Sequence, residues 1–403
     1  MNSETPAGPA GRPLEVLGAF LKLGVSAFGG PIAHLAYFRE EFVARRRWLD
    51  ERAFADLVAL CQFLPGPASS QVGFAIGLMR AGPLGALAAW TGFTLPSAVL
   101  MIAFAFGLTS VKGTIAQGVI HGLKLVAVAV VAQAVLGMAR TATPDARRTG
   151  IAIAAVALVT FAAATVVQIA AIGLGAAAGL VLCREAASEA PTPALARIAR
   201  PVGLAALCLF LLLLLGGPIV AAATGDPVLA RFDAFYRSGA LVFGGGHVVL
   251  PLLKSAVVDP GWVSPDAFLT GYGAAQALPG PLFTFGAYLG AVMRTPPNGL
   301  AGAALGLGAI FLPGLLILLA ALPFWSALRA RPAAQAAMRG ANAAVVGILA
   351  AALYDPLWTS AVIDRADFAL ALAGFGLLTA FRSPPIVVVL LGAGAGVARA
   401  LWG

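Results

Sequence analysis

A Pro-Gly-Pro triplet interrupts a hydrophobic run at Gln62 to Gln71, QFLPGPASSQ, and no plain helix can pass through it. Each proline removes a backbone donor and crowds the turn before it, and the glycine between them lets the chain bend. The 403-residue chain around it is 60% hydrophobic and 11% charged, against about 25% charged in soluble domains. These values describe an all-α polytopic membrane protein. In such a protein, broken backbone persists at membrane depth only where it is buried or lines a cavity.

A related stretch, QALPGP, returns at Gln276 to Pro281, and the match extends in both directions. At an offset of 215, Phe20 meets Phe235, Gly24 meets Gly239, and Phe28-Gly29-Gly30 meets Phe243-Gly244-Gly245. At 214, Trp48 meets Trp262, Gln62 meets Gln276, and Met79-Arg80 meets Met293-Arg294. Leu95-Pro96 then pairs with Leu312-Pro313. The kept order predicts a duplicated unit. The expected division is a cytoplasmic tail over 1–13, a first repeat over 14–183, a basic loop plus linking helix over 184–230, and a second repeat over 231–403. The apolar run at 202–223 is long enough to span a bilayer.

The halves differ in loop charge. The first inter-segment loop carries Arg39, Arg45, Arg46, Arg47 and Arg52, whereas its counterpart has Lys254 as its one base beside Asp259 and Asp266. Arg140, Arg147 and Arg148 likewise face a counterpart loop with Asp355, Asp364 and Asp367 against Arg365. The positive-inside rule then predicts two inverted-topology repeats with broken or re-entrant helices, joined by one extra transmembrane helix. The N-terminus falls in the cytoplasm and the C-terminus in the periplasm. The number of full spans stays open. The excess of 26 Lys and Arg over 17 Asp and Glu reads as cytoplasmic loops, not as a nucleic-acid surface. Cys61, Cys183 and Cys208 read as core thiols, and the first residues contain no signal-peptide pattern.

A half-helix that starts at such a break offers free N–H groups and the positive end of its dipole, which suits an anion. Candidate binding residues are therefore Gly29, Gly30, Gln62, Gly66, Ser69, Ser70 and Gln71, with Gly244, Gly245, Gln276, Gly280 and Thr284 in the second copy. Ser69 and Ser70 could equally serve as helix caps. Lys22 and Arg237 are repeat-matched cations in the first broken segments, suited to a dianion or to snorkelling. Gating or supporting candidates are Arg80, Arg294, Lys124, His34, His247 and Asp56. Asp56 is expected at the membrane interface, and Glu40 and Glu41 beside the arginines of their loop. No metal site, cofactor, nucleotide-binding motif or enzymatic constellation is expected.

FLKLGVSAFGGPIAHLAYFREEFVARRRWLDERAFADLVALCQFLPGPASSQVGFAIGLMRAG, from Phe20 to Gly82, resembles the signature of the chromate ion transporter (CHR) family, and FGGGHVVLPLL with QALPGPLF resembles its diverged second domain. The resemblance covers almost the whole chain and matches the long, two-domain form. It implies efflux of chromate across the inner membrane and chromate resistance, with sulfate as a related cargo or competitor. Another oxyanion transporter is the alternative, and a membrane-embedded enzyme a remote one. Besides the oxyanion and the lipid bilayer, a homodimer is compatible with the sequence. The second copy has Gly246 in place of Pro31 and lacks the Ser-Ser-Gln after its Pro-Gly-Pro, so the two half-sites should not be equivalent.

Overall fold

The computed structural model describes residues 11–28, 30–110, 113–161, 165–184, 198–243, 246–325, 327 and 331–402. Among these residues every regular element is helical. The first half comprises α1 (Pro13–Ser26), α2 (Gly30–Phe38), α3 (Glu51–Phe63), α4 (Ala68–Ser110), α5 (Thr114–Ala142), α6 (Ala146–Phe161) and α7 (Thr165–Leu182). The linking segment is α8 (Arg200–Leu211), continuous through a π-turn with α9 (Gly217–Thr224). The second half comprises α10 (Pro227–Ala240), α11 (Val249–Leu253), α12 (Pro265–Ala275), α13 (Phe285–Ala291), α14 (Gly299–Ala321), α15 (Pro332–Ala352), α16 (Arg365–Thr379) and α17 (Pro385–Trp402). Among the described residues, six helical stretches are long and apolar enough to cross a membrane: Ala68–Gly107, Thr114–Ala142, Arg200–Thr224, Gly299–Phe324, Pro332–Ala361 and Pro385–Trp402. The chain is an all-α polytopic membrane protein.

The breaks fall where the prolines and glycines put them. Helix ends at Phe63 and resumes at Ala68 across Leu-Pro-Gly-Pro; in the second half it ends at Ala275 and resumes as a 3₁₀ turn at Leu282. α4 is itself bent at Ala81 and Gly82, where Gly82 takes φ +66°.

The two halves interlock by exchanged contacts. α5 of the first half packs on α17, and α15 of the second half packs on α7. In the first of these crossings, a methyl group on Gly122 would lie 2.1 Å from the Gly392 carbonyl oxygen. In the second, a methyl on Gly340 would lie 2.0 Å from the Gly175 carbonyl oxygen. Each crossing thus brings two glycine backbones into direct contact. Small residues permit it, because van der Waals packing between close backbones drives helix association in a membrane.

Charged ties cross between the halves beside these contacts. Asp367, fully buried at the start of α16, lies 2.7 Å from His121 Nε2 of α5, accepts the Ile363 N–H at 3.0 Å, and pairs with Arg399 of α17. Arg399 also pairs with the exposed Asp364, and its donation holds that carboxyl down to about 2. Lys124, one turn further along α5, pairs with Asp266 at the start of α12.

Asp56 is buried, on the same face of α3 as Leu57 and Leu60. One expectation is corrected. Cys208 is exposed, unlike buried Cys61 and Cys183, because α8 buries a single stripe of Gly203, Ala206 and Phe210 and turns Cys208 away from it.

Candidate functional site

The two Pro-Gly-Pro breaks are joined by another exchanged pair of contacts. The Gly66 N–H donates to the Val242 carbonyl at 2.7 Å, and the Gly280 N–H donates to the Ala27 carbonyl at 3.0 Å. Gly280 is the counterpart of Gly66, and Val242 that of Ala27. Each break thus hangs on the other copy's chain just before its Phe-Gly-Gly sequence. The glycines take φ +118° and +91°, open to a residue without a side chain. They also sit against the opposite copy's long helix: Gly66 against Gly314 of α14, Gly280 against Ser97 and Phe93 of α4.

At the first break, Ser69, Ser70 and Gln71 are buried at the start of α4. The first intrahelical bond runs from the Gln71 N–H to the Pro67 carbonyl at 2.9 Å, so the N–H groups of Ala68, Ser69 and Ser70 have no acceptor within the helix. Gln71 Nε2 donates to the Pro65 carbonyl at 2.9 Å and to the Gly314 carbonyl at 2.8 Å, pinning the break to the second copy. His34 Nδ1 lies 3.3 Å from Ser69 Oγ, and its ring packs edge-on against Phe93. Ser70 Oγ, His34 Nε2, Gln71 Oε1 and Thr94 Oγ1 are buried with no hydrogen-bond partner among the described residues. Buried polar atoms are nearly always satisfied, so each exception calls for an explanation. Hydroxyl, imidazole and backbone donors at a positive helix end suit a small oxyanion.

The second break is built differently. Thr284 is buried too, but its hydroxyl donates to the Pro281 carbonyl at 2.9 Å, the same oxygen that takes its N–H at 3.1 Å. His247 Nδ1 lies 2.7 Å from the buried Tyr272 hydroxyl, with Gln276 beside that tyrosine.

The matched cations each carry a carboxylate. Lys22 is 58% exposed and lies 3.7 Å from the buried Glu41, which also takes Arg45 and Arg46. Arg237 pairs at 2.7 Å with the buried Asp233 one turn earlier on α10, at the wall of a cavity of about 310 Å³ that also reaches Ser238, Ser255 and Trp262. Arg80 is held by Glu15 at 3.3 Å and the Trp48 ring at 5.1 Å, and exposed Arg294 gives its backbone N–H to the Trp262 carbonyl. Gln62 is exposed, and a side chain on Gly30 would meet open space. Gly29, Gly244 and Gly245 lie outside the described residues.

Sequence reasoning missed Thr94, Asp233 and the acceptor role of Gly314. The four-residue spacing of Asp233 and Arg237 was a usable signal; nothing local marks Thr94 or Gly314.

The fold and this site define a polytopic membrane protein with two broken helices meeting between repeated halves. The chromate transporter family model matches residues 14–180 and again 229–397, and the chain belongs to that family. A relative from Pseudomonas aeruginosa named chromate transport protein is 29% identical over 394 residues, 94% of this chain and 90% of its own. A protein of the same name from Cupriavidus metallidurans is 26% identical over 379 residues, 92% and 89% of the two chains. A probable chromate transport protein from Synechococcus elongatus is 27% identical over 337 residues, 83% and 82%. No solved structure matches the chain.

Proposed function

We propose that this chain exports chromate from the cytoplasm across the inner membrane and so confers resistance to it, as a transporter and not as an enzyme. The observation that carries the reading is the start of α4, where buried Ser70 Oγ and His34 Nε2 have no partner among the described residues beside a break pinned to the other repeat. A tetrahedral dianion would bind there through the first-turn N–H groups, Ser69, Ser70 and His34, and the weaker counterpart at Thr284 would serve a different step. Opposite orientation of the two repeats, suggested by their loop charges, would let the same breaks face either side in turn. The cytoplasmic N-terminus and periplasmic C-terminus follow from the same charges, and the repeat limits 14–183 and 231–403 from the internal sequence matches. Lys22 and Arg237 would contribute positive potential while remaining paired.

An outgoing dianion gains roughly 4.6 kcal/mol at about 100 mV inside-negative, enough to hold a gradient of about three decades without proton coupling. Everted vesicles should therefore accumulate chromate while the potential stands, keep doing so when only the pH gradient is collapsed, and stop when the potential is abolished. Accumulation in right-side-out vesicles alone, or flux of sulfate without chromate, would contradict the reading.

A further inference from the structure

The bend at Ala81 and Gly82 turns α4 back along itself. A methyl on Gly77 would stand 2.3 Å from the Gly85 carbonyl oxygen and 2.7 Å from Ala89 Cβ, and the Phe20 side chain lies against both Gly73 and Gly92. Carried on, this pairing sets Phe93 and Thr94 level with Ser69 and Ser70. His34 meets both sides there, its Nδ1 3.3 Å from Ser69 Oγ and its ring centroid 5.1 Å from that of Phe93. Trp90, Thr94 and Ser97 follow at helical spacing and share one face of the returning limb. That face meets the second break. Ser97 lies against Gly280, and the Trp90 ring is 5.6 Å from Phe311, itself 5.6 Å from Phe283 just past the Pro-Gly-Pro. Thr94 is thus placed between the two breaks.

Among the described residues eight serines and threonines are buried, and their hydroxyls set a pattern. Ser97, Ser238, Ser255, Thr270 and Thr284 each donate to a carbonyl three or four residues back, at 2.6 to 3.1 Å. A helix commonly satisfies a buried hydroxyl in this way. Ser69 meets His34. The two exceptions are Ser70, at the site already described, and Thr94, which is 1% exposed and whose Oγ1 has no partner among the described residues. Trp90 Nε1, one turn away on the same face, is buried without a partner as well, although a buried indole N–H usually finds an acceptor. Both groups can donate, and neither carries a charge. The start of α4 reaches only those oxygens of a tetrahedral ion that face it, and the others need donors from another element. Given α4 as the oxyanion site, on which this inference rests, we propose that the Thr94 hydroxyl and the Trp90 N–H supply them. These groups receive the oxyanion as it leaves Ser69 and Ser70 for the second break. Neutral donors hold the ion without trapping it, as conduction through successive sites requires.

The test is equilibrium binding of chromate to the purified full-length protein, read beside thermal unfolding in chromate-free detergent. Thr94→Val keeps the shape of the side chain and deletes the hydroxyl. It should bind chromate about tenfold more weakly, the effect of one lost hydrogen bond to a charged group. It should also unfold at a temperature no lower than wild type, because no group of the protein loses a partner. Thr94→Ser restores the donor and should bind chromate as wild type does. Trp90→Phe keeps a ring against Phe311 and should weaken binding severalfold. Lowered thermal stability in Thr94→Val without chromate would make the hydroxyl structural and overturn the proposal. So would wild-type binding in Thr94→Val where Ser70→Ala is weakened, and the site at the start of α4 would then stand without Thr94. Wild-type binding in both variants would remove the α4 reading itself, and the role of Thr94 with it.

Discussion

Gly66→Ala and Gly280→Ala should each abolish transport and destabilise the fold by about 3 kcal/mol, the range of strained backbone combined with overpacking. A methyl on Gly66 would stand 2.9 Å from Gly314 Cα at φ +118°, and backbone cannot swing aside as a long side chain can. A methyl on Gly280 would stand 2.8 Å from Ser97 Oγ and 3.1 Å from the Phe93 carbonyl oxygen at φ +91°. Relief in either case means moving a break away from the opposite copy and stretching the bond to Val242 or Ala27. Gly18→Ala is the control: it lies within α1, has nothing within 4 Å of the added carbon, and should be neutral. Heat-induced loss of the monodisperse species, measured beside flux, checks all three. Wild-type stability in Gly66→Ala would mean that the breaks are not clamped together.

The second large effect is expected at Asp367. Its carboxylate is fully buried and satisfies His121, Arg399 and the Ile363 N–H together. Removing one partner of a buried ion pair leaves the other's charge uncompensated, typically at about 3–5 kcal/mol. Asp367→Ala should fall near the lower end, because Arg399 keeps Asp364 as a second partner. The loss would loosen α16 and α17 from α5, the crossing at Gly122 and Gly392. Thermal unfolding in detergent reads it directly. A change below about 1 kcal/mol, the range of exposed ion pairs, would show that the network adds nothing beyond surface electrostatics.

The breaks were legible in the sequence because their cause is local: two prolines and a glycine interrupt the hydrogen-bond ladder whatever surrounds them. The linking helix was legible for a similar reason, expected over 202–223 and found over Arg200–Thr224. What the breaks touch was not legible, since the Gly314 carbonyl that accepts from Gln71 lies 243 residues away. The same limit governs the charges. Glu41 was expected among the arginines of its own loop, and Arg45 and Arg46 do pair with it, but Lys22 joins them only through the packing of α1 against that loop. Lys124 reads as a lone cation in an apolar helix until Asp266, 142 residues on, comes beside it. Asp56 could be placed near a helix start, and only the tertiary fold shows that the face it occupies is buried. The two breaks differ in their hydroxyls, with Thr284 donating to the Pro281 carbonyl and Ser70 Oγ without a partner among the described residues.

The most direct test of the proposed site is equilibrium binding of labelled chromate to purified protein, wild type against Ser70→Ala and Thr284→Ala. If the start of α4 holds the dianion, Ser70→Ala should weaken binding about tenfold or more, as expected for a lost hydrogen bond to a charged group, with Thr284→Ala near wild type. Unchanged binding in Ser70→Ala, or a larger loss in Thr284→Ala, would place the cargo elsewhere.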